Sequence, residues 1–446
     1  MGHLQSLVLL AGAALSVSGT AAMAQQSAIS SDEVRAMVAE TMNDAESRSS
    51  LLAGGDAGHD GRFFIAGDGF RLNIGGFTQF RYDMNFRDKD NVPPGVPNAN
   101  DEFVHGFQVT RAKVDFNGEL NKDWFFRFRI TNNDVGDHGP SSGLTYDYAY
   151  AGYKFANGWK ATWGQFKLPL LHEELVSDTH QLAAERSIVN EVFTQGYSQG
   201  IEMAYEAEAW RVFLAFSDGL NSANTDFNSR QNINPGPANF GNVVFVSGQA
   251  DYAFTGRGEF LLHGNWKQYE DFTSQKGSDF NAVIGVAAHW QVSDNTNNLT
   301  DTDLQTLRYT VDAQLKGDSW NLYAAFVGDH GKARSAGADS SDLDNFGVMV
   351  QGGWRFAENT EVFARYDGLF FDSDLISSGK KNFNFITAGL NQYYAGHAAK
   401  ATVDFVYSLD NTTNLATTVF PNTNIGLLGQ TKSGEVVLRL QFQLIF

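Results

Sequence analysis

From Phe63 onward the apolar residues recur at every second position. In Asp123–Thr131, Trp124, Phe126, Phe128 and Ile130 share one face, while Asp123, Arg127 and Arg129 take the other. In Phe107–Leu120, Ala112, Val114, Phe116 and Leu120 stand opposite Arg111, Lys113, Asp115 and Glu119. A period of two predicts strands with one face in an apolar medium and one in water. A soluble sandwich would alternate in the same way, so the connections must separate the two. Tight links at Asn121-Lys122, Ala156-Asn157, Glu208-Ala209, Gly256-Arg257, Gly317-Asp318, Ala357-Glu358 and Ala395-Gly396 alternate with long polar ones. The long links cover 87–104, 133–143, 169–195, 219–241, 330–343, 372–381 and 410–433. Short turns on one rim and long loops on the other are the layout of an antiparallel transmembrane β-barrel.

Candidate strands fall near 70–85, 105–119, 123–132, 144–155, 158–168, 197–208, 210–218, 243–255, 258–271, 280–291, 305–316, 319–329, 344–356, 360–371, 382–394, 397–409 and 435–446. Those are 17 candidates, and a single-chain bacterial barrel takes an even number. Counting turns inward from both ends places the surplus between Gly256 and Gln305, with one of 258–271 and 280–291 partly loop. The expected fold is therefore all-β, a barrel of about 16 strands, with 18 as the alternative. The last strand is the sharpest piece. Val436, Leu438, Leu440, Phe442, Leu444 and Phe446 form one unbroken apolar face, with Val437, Arg439, Gln441, Gln443 and Ile445 opposite.

Composition supports one large unit. Prolines number only 8, while 36 Phe, 15 Tyr and 8 Trp are spread along the chain without a linker after residue 60. No segment approaches the roughly 20 apolar residues of a membrane helix. The mean hydropathy of −0.29 is compatible with a barrel, because only alternate residues face lipid. Residues 1–24 read as a signal peptide, with an apolar run from Leu7 to Leu15 and small residues at Ala22 and Ala24; the alternative is a buried apolar helix. Residues 25–61 read as a periplasmic leader, helical or disordered. Ser31-Asp32-Glu33 suits a helix start, and Gly54–Gly61 reads as a hinge into a barrel domain over 62–446. Cysteine is absent, which removes thiolate chemistry and Cys-type zinc sites. The net charge of −19 and the lack of a basic cluster argue against nucleic acid as a partner.

Sixteen strands enclose a wet lumen, so chemistry is expected on inward residues and on whatever narrows the passage. Arg71, Arg81, Arg111, Lys113, Arg127 and Arg129 should all point inward as a basic stripe on adjacent strands. The competing reading pairs them with Asp83, Asp115, Asp123 and Asp147, where they only stiffen the wall. Loop 169–195 is the candidate constriction: it carries His172, Glu173, Glu174, Asp178, Arg186, His180, Glu185 and Glu191. Its alternative is a solvated extracellular loop. His263, His289 and His397 lie on candidate strands without a marked nucleophile, so an enzyme is not expected. Neither a cofactor nor a metal site is indicated by any motif. Gly75-Gly76 reads as a kink or bulge within a strand.

The segments FRLNIGGFTQFRY (70–82), FQVTRAKVDFNGELNKDWFFRFRI (107–130), GQFKLP (164–169), ERSIVN (185–190), VFARYDG (362–368), YYAGHAAKATVDFVYSL (393–409) and VVLRLQFQLIF (436–446) together resemble the phosphate-selective porin O and P family. The resemblance spans about residues 62–446. It implies a 16-stranded outer-membrane barrel, commonly a homotrimer, with a constricting loop after the fifth strand. It also implies a basic lumen in the phosphate-specific members. The expected function is an outer-membrane porin for passive diffusion of small hydrophilic solutes, with anions such as phosphate as the leading class. Arg111 falls in a motif that often reads as paired arginines, and Thr110 stands at the first of those positions. A structural or adhesive barrel with a blocked lumen is the competing function.

Overall fold

The computed structural model describes residues 56–92, 101–132, 144–193, 196–220, 222–224, 250–295, 302–335, 341–376, 379–416, 419–420 and 423–446. The signal-peptide reading, the leader up to residue 55 and much of loop 219–241 lie outside the described residues.

The strands are β1 (Asp56–His59), β2 (Phe63–Gly67), β3 (Phe70–Phe86), β4 (Phe103–Leu120), β5 (Trp124–Asn132), β6 (Leu144–Lys154), β7 (Trp159–Lys167), β8 (Tyr197–Glu206) and β9 (Trp210–Ser217). They continue as β10 (Tyr252–His263), β11 (Asn281–Asn295), β12 (Thr302–Gly317), β13 (Trp320–Ser335), β14 (Ser341–Ala357), β15 (Thr360–Phe370), β16 (Asn382–Tyr393), β17 (Ala399–Ser408) and β18 (Val436–Ile445). Each strand from β3 onward pairs antiparallel with its neighbour in sequence. β18 then pairs with β3, from Val436 opposite Phe86 to Ile445 opposite Phe77. Of the 18 strands in the sheet, β1 and β2 form a hairpin on the first residues of β3, which leaves a ring of sixteen. Closure leaves no unpaired edge for lipid to face.

Alternation now has a physical meaning. On β18, Leu440, Phe442 and Leu444 are 39–45% exposed on the outside, while Arg439 and Gln443 are fully buried inside. Trp124 is likewise exposed, and Arg129 on the same strand is buried.

The false turn behind the surplus strand is Gly256-Arg257. Both residues lie inside β10, with Arg257 opposite Phe213 on one side and Ala287 on the other. Strand signal on both sides of a glycine is one strand here because β9 and β11 both pair in unbroken register across Gly256. The candidate strand 258–271 accordingly ends at His263, and residues 264–280 connect β10 to β11. The long link at 330–343 also shortens, since β13 and β14 run on to Ser335 and back from Ser341. The hinge reading of Gly54–Gly61 gives way at Asp56–His59, which pairs with Phe63–Ala66 as strand.

Gly75-Gly76 is not a bulge. The irregularity lies further along, where Thr110 is the extra residue opposite Gln79 and Phe80. Gly76 instead serves the seam: its N–H donates to the Phe446 carbonyl at 2.9 Å and its carbonyl accepts from the Phe446 N–H at 2.9 Å. A Cβ there would sit 2.5 Å from the Lys113 carbonyl oxygen and 2.7 Å from the Phe446 ring. Gly76→Val should therefore destabilise the barrel by about 1–3 kcal/mol through overpacking against backbone. Heat-induced loss of the folded band on an unheated-sample gel should begin at a lower temperature; an unchanged profile contradicts the close approach.

Candidate functional site: a loop clasped inside the barrel

The period of two sends Arg81, Arg111 and Lys113 inward from β3 and β4, and loop 169–195 comes to meet them. Arg111 donates to both Glu185 carboxylate oxygens at 2.8 and 2.7 Å, and Arg81 donates to the same carboxylate. Lys113 lies 3.2 Å and Arg111 3.7 Å from Asp178, whose other oxygen is 2.5 Å from Arg186. Within the loop, Glu173 accepts from the Ser187 N–H at 2.8 Å and from its hydroxyl, holding two turns of the chain together. Glu174 pairs with Lys167 at 3.0 Å and accepts from Asn190 at 2.6 Å.

The clasp extends around the ring. Lys400 donates to the Gln181 carbonyl at 2.9 Å, Asn391 to that of Leu182 at 2.9 Å, and Arg365 to that of Glu185 at 2.9 Å. The Ala184 N–H donates to Asp404 at 2.8 Å, and Thr310 donates to the Leu170 carbonyl at 2.6 Å. A loop with little regular structure must satisfy its backbone elsewhere when buried. The wall side chains do this, so the loop lies within the lumen and not out in solvent.

Burial alone would raise the Glu185 carboxyl, but the guanidinium groups of Arg111 and Arg81 outweigh it and hold it down at about 2. Asp178 is held well below its ordinary range, against its burial, by Lys113, Arg186 and Arg111. Burial pushes His172 down to about 3, so the ring is uncharged at neutral pH.

The connection 264–280 approaches from the opposite rim. Asn265 caps a short helical turn, Trp266–Tyr269, by accepting from the Gln268 N–H. Tyr269 then stacks face to face on His172, with ring centroids 3.6 Å apart and planes 6° apart. The Tyr269 hydroxyl donates to Asp312 at 3.2 Å and accepts from Arg257 at 3.0 Å. Phe272 packs on Tyr323 at 4.9 Å, Thr273 donates to Glu361 at 3.2 Å, and Asp271 pairs with Lys316 at 2.6 Å. Phe272 joins loop residues such as Val189 and Phe193 in one buried apolar cluster with Tyr323, Met349, Leu369, Phe385, Leu415 and Ile425. The interior beside β13–β18 is thus a packed core.

The interior beside β3–β7 is different. At the short-turn rim a cavity of about 620 Å³ is lined by Arg62, Arg71, Arg127, Lys154 and Lys160, with Glu119 as its one carboxylate. Arg127 and Arg129 share a single carboxylate, Asp115, at 2.7 and 2.9 Å. Arg71 pairs with Asp60 at 2.6 Å and Lys154 with Glu119 at 2.5 Å. Among the described residues, neither Arg62 nor Lys160 has a carboxylate in ion-pair range.

A family model described as phosphate-selective porin O and P matches residues 79–425. The chain belongs to that family. It is a porin of the bacterial outer membrane, a channel and not an enzyme. No curated protein sequence matches it significantly. Among solved structures, the outer membrane channel DcaP of Acinetobacter baumannii is similar at 14% identity and a TM-score of 0.54, over 87% of this chain and 100% of that one. The anion-selective porin from Comamonas acidovorans is similar at 10% identity and 0.51, over 84% and 100%. OmpT of Vibrio cholerae in its trimer form is similar at 12% identity and 0.50, over 85% and 100%. At such identities the likeness is one of fold.

In this porin the short-turn rim is the periplasmic one. All six cations named from the sequence lie on the inner face, but they divide. Arg81, Arg111 and Lys113 are buried under the loop, Arg71 and Arg127 border the cavity, and Arg129 is buried on Asp115. Of the carboxylates proposed to neutralise them, Asp115 takes Arg127 and Arg129, and Asp147 lies 2.8 Å from Lys113. His289 meets Thr255 at 2.7 Å and Gln291 at 2.9 Å, and His263 meets the Phe280 carbonyl at 2.9 Å. Sequence reading missed Arg257, Arg308, Arg365, Lys400 and the connection 264–280. Inward parity marks those four cations. The connection's length betrays it too: seventeen residues, 264–280, on a rim of short turns.

Proposed function

We propose that this porin passes small hydrophilic solutes by passive diffusion, with a preference for anions, as a homotrimer. The observation that carries the preference is the periplasmic mouth, where five cations face one carboxylate. After the pairs with Asp60, Asp115 and Glu119 are subtracted, Arg62 and Lys160 remain uncompensated among the described residues. Excess cations in a cleft with low-dielectric walls raise the local anion concentration. The family's description supports anions as the solute class. Phosphate specificity has weaker support, because Thr110 binds the Gln79 carbonyl at 3.1 Å and Arg111 is occupied by Glu185. The homotrimer is supported by the trimer form of a protein of similar fold.

The test is single-channel recording in planar bilayers under a KCl gradient. The reversal potential should show chloride more permeant than potassium, and Lys160→Glu with Arg62→Glu should shift it toward cations. Cation preference in the unmodified protein rejects the anion part. The buried apolar cluster favours a second reading, a structural barrel with a blocked lumen. Failure to form any conducting pore would establish that reading.

A further inference from the structure

The periplasmic mouth is aromatic as well as basic. Phe125 lies on its wall and meets Tyr150 edge to face at 6.3 Å. Tyr150 meets Tyr148 at 5.8 Å, and Tyr148 meets Tyr197 at 5.0 Å, both edge to face. The rings therefore climb β5, β6 and β8 from the mouth toward the loop. Cations accompany them: Arg127 lies 4.2 Å over the Tyr148 ring and Lys167 5.3 Å over Tyr197. The lowest ring has a place prepared for it. Gly152 is paired directly across from Phe125, and a Cβ on Gly152 would stand 2.1 Å from the Phe125 ring. Only a residue without a side chain lets the ring lie across β6.

An inorganic anion has no use for these rings. Half-buried rings beside cations that lack a carboxylate partner among the described residues suit a ligand with a flat apolar face and a charged end. We propose that the mouth is a binding subsite for aromatic carboxylates, whose ring packs on Phe125 and Tyr150 and whose carboxylate meets Lys160 and Arg62. The cavity has the volume of an ordinary small-molecule cleft. This assignment rests on the anion-preferring reading and narrows it to a ligand class.

The test uses benzoate against acetate, two carboxylates that differ by the ring. Each is titrated into planar bilayers holding the full-length porin in KCl, and interruption of the single-channel current is recorded. Benzoate should reach half-block at a concentration about tenfold lower than acetate. Phe125→Leu should raise the benzoate value toward that of acetate, and Tyr150→Leu should do the same if the first variant folds poorly. Lys160→Gln should weaken both carboxylates. Equal half-blocking concentrations for the two overturn the subsite, as does a benzoate advantage that survives both ring substitutions. The reversal potential, read in the same membranes, reports the anion preference separately. A cation-preferring potential with a benzoate advantage abolished by Phe125→Leu overturns only the preference.

Discussion

Glu185→Gln should open the channel. The substitution keeps the side chain's shape but leaves the Arg81 and Arg111 guanidinium groups buried without their shared counter-charge. Removing one partner of a buried ion pair costs about 3–5 kcal/mol, roughly a 10²- to 4 × 10³-fold change in the docking equilibrium of the loop. The variant should show higher single-channel conductance and more frequent switching between current levels than the unmodified protein. Unmodified protein should show the same change only in strong acid. The Glu185 carboxyl is held at about 2, below its ordinary value, so its contribution is complete above the ordinary carboxylate range and is lost as pH falls through about 2. Conductance should accordingly stay level from neutral pH down to the ordinary carboxylate range and rise only below it. In Glu185→Gln the acid-induced rise should be absent. An equal conductance in variant and parent would show that the Asp178 pairs and the backbone bonds to the wall suffice to hold the loop.

The second large effect is expected at the periplasmic connection. Tyr269 is buried, stacks on His172 and bonds to both Arg257 and Asp312. Tyr269→Ala removes a buried aromatic ring, which costs about 3–5 kcal/mol in a packed interior. Loss falls on the contact between two segments that enter from opposite rims, so the wall strands should remain paired while the connection leaves the lumen. The expected result is raised conductance together with new protease cleavage between Gly264 and Phe280 from the periplasmic side. Unaltered cleavage and conductance would mean that Asp271, Phe272 and Thr273 suffice to hold the connection in place.

Both predictions concern contacts that pattern reading could name only in part. The side on which each strand residue faces was readable, because a period of two admits only two answers and lipid rejects one of them. Arg439 and Gln443 were placed inward on that basis, and both are buried inside. A glycine in a strand was harder. Gly256 resembles a turn residue, yet β10 passes through it, since a glycine within a strand and a glycine at a turn look alike until the partner strands are known. Gly76 differs again, because its reason lies in Phe446, far off in sequence. For the candidate site, loop 169–195 stood out by length and charge. Which of its acids meets which wall cation depends on long-range geometry, as with Glu185 and Arg81, 104 residues apart.

The amino-acid sequence by itself determined a closed antiparallel barrel, its lipid and lumen faces, and the inward direction of the cations on β3, β4 and β5. These follow from local alternation and turn placement, which act over a few residues at a time. The tertiary structure alone decided that loop 169–195 and the connection 264–280 meet inside, that Arg81, Arg111 and Lys113 hold the loop, and that Arg62, Arg71, Arg127, Lys154 and Lys160 gather around one cavity at the periplasmic mouth. Those outcomes depend on which buried carboxylate each cation reaches, and ring closure sets that across the whole chain.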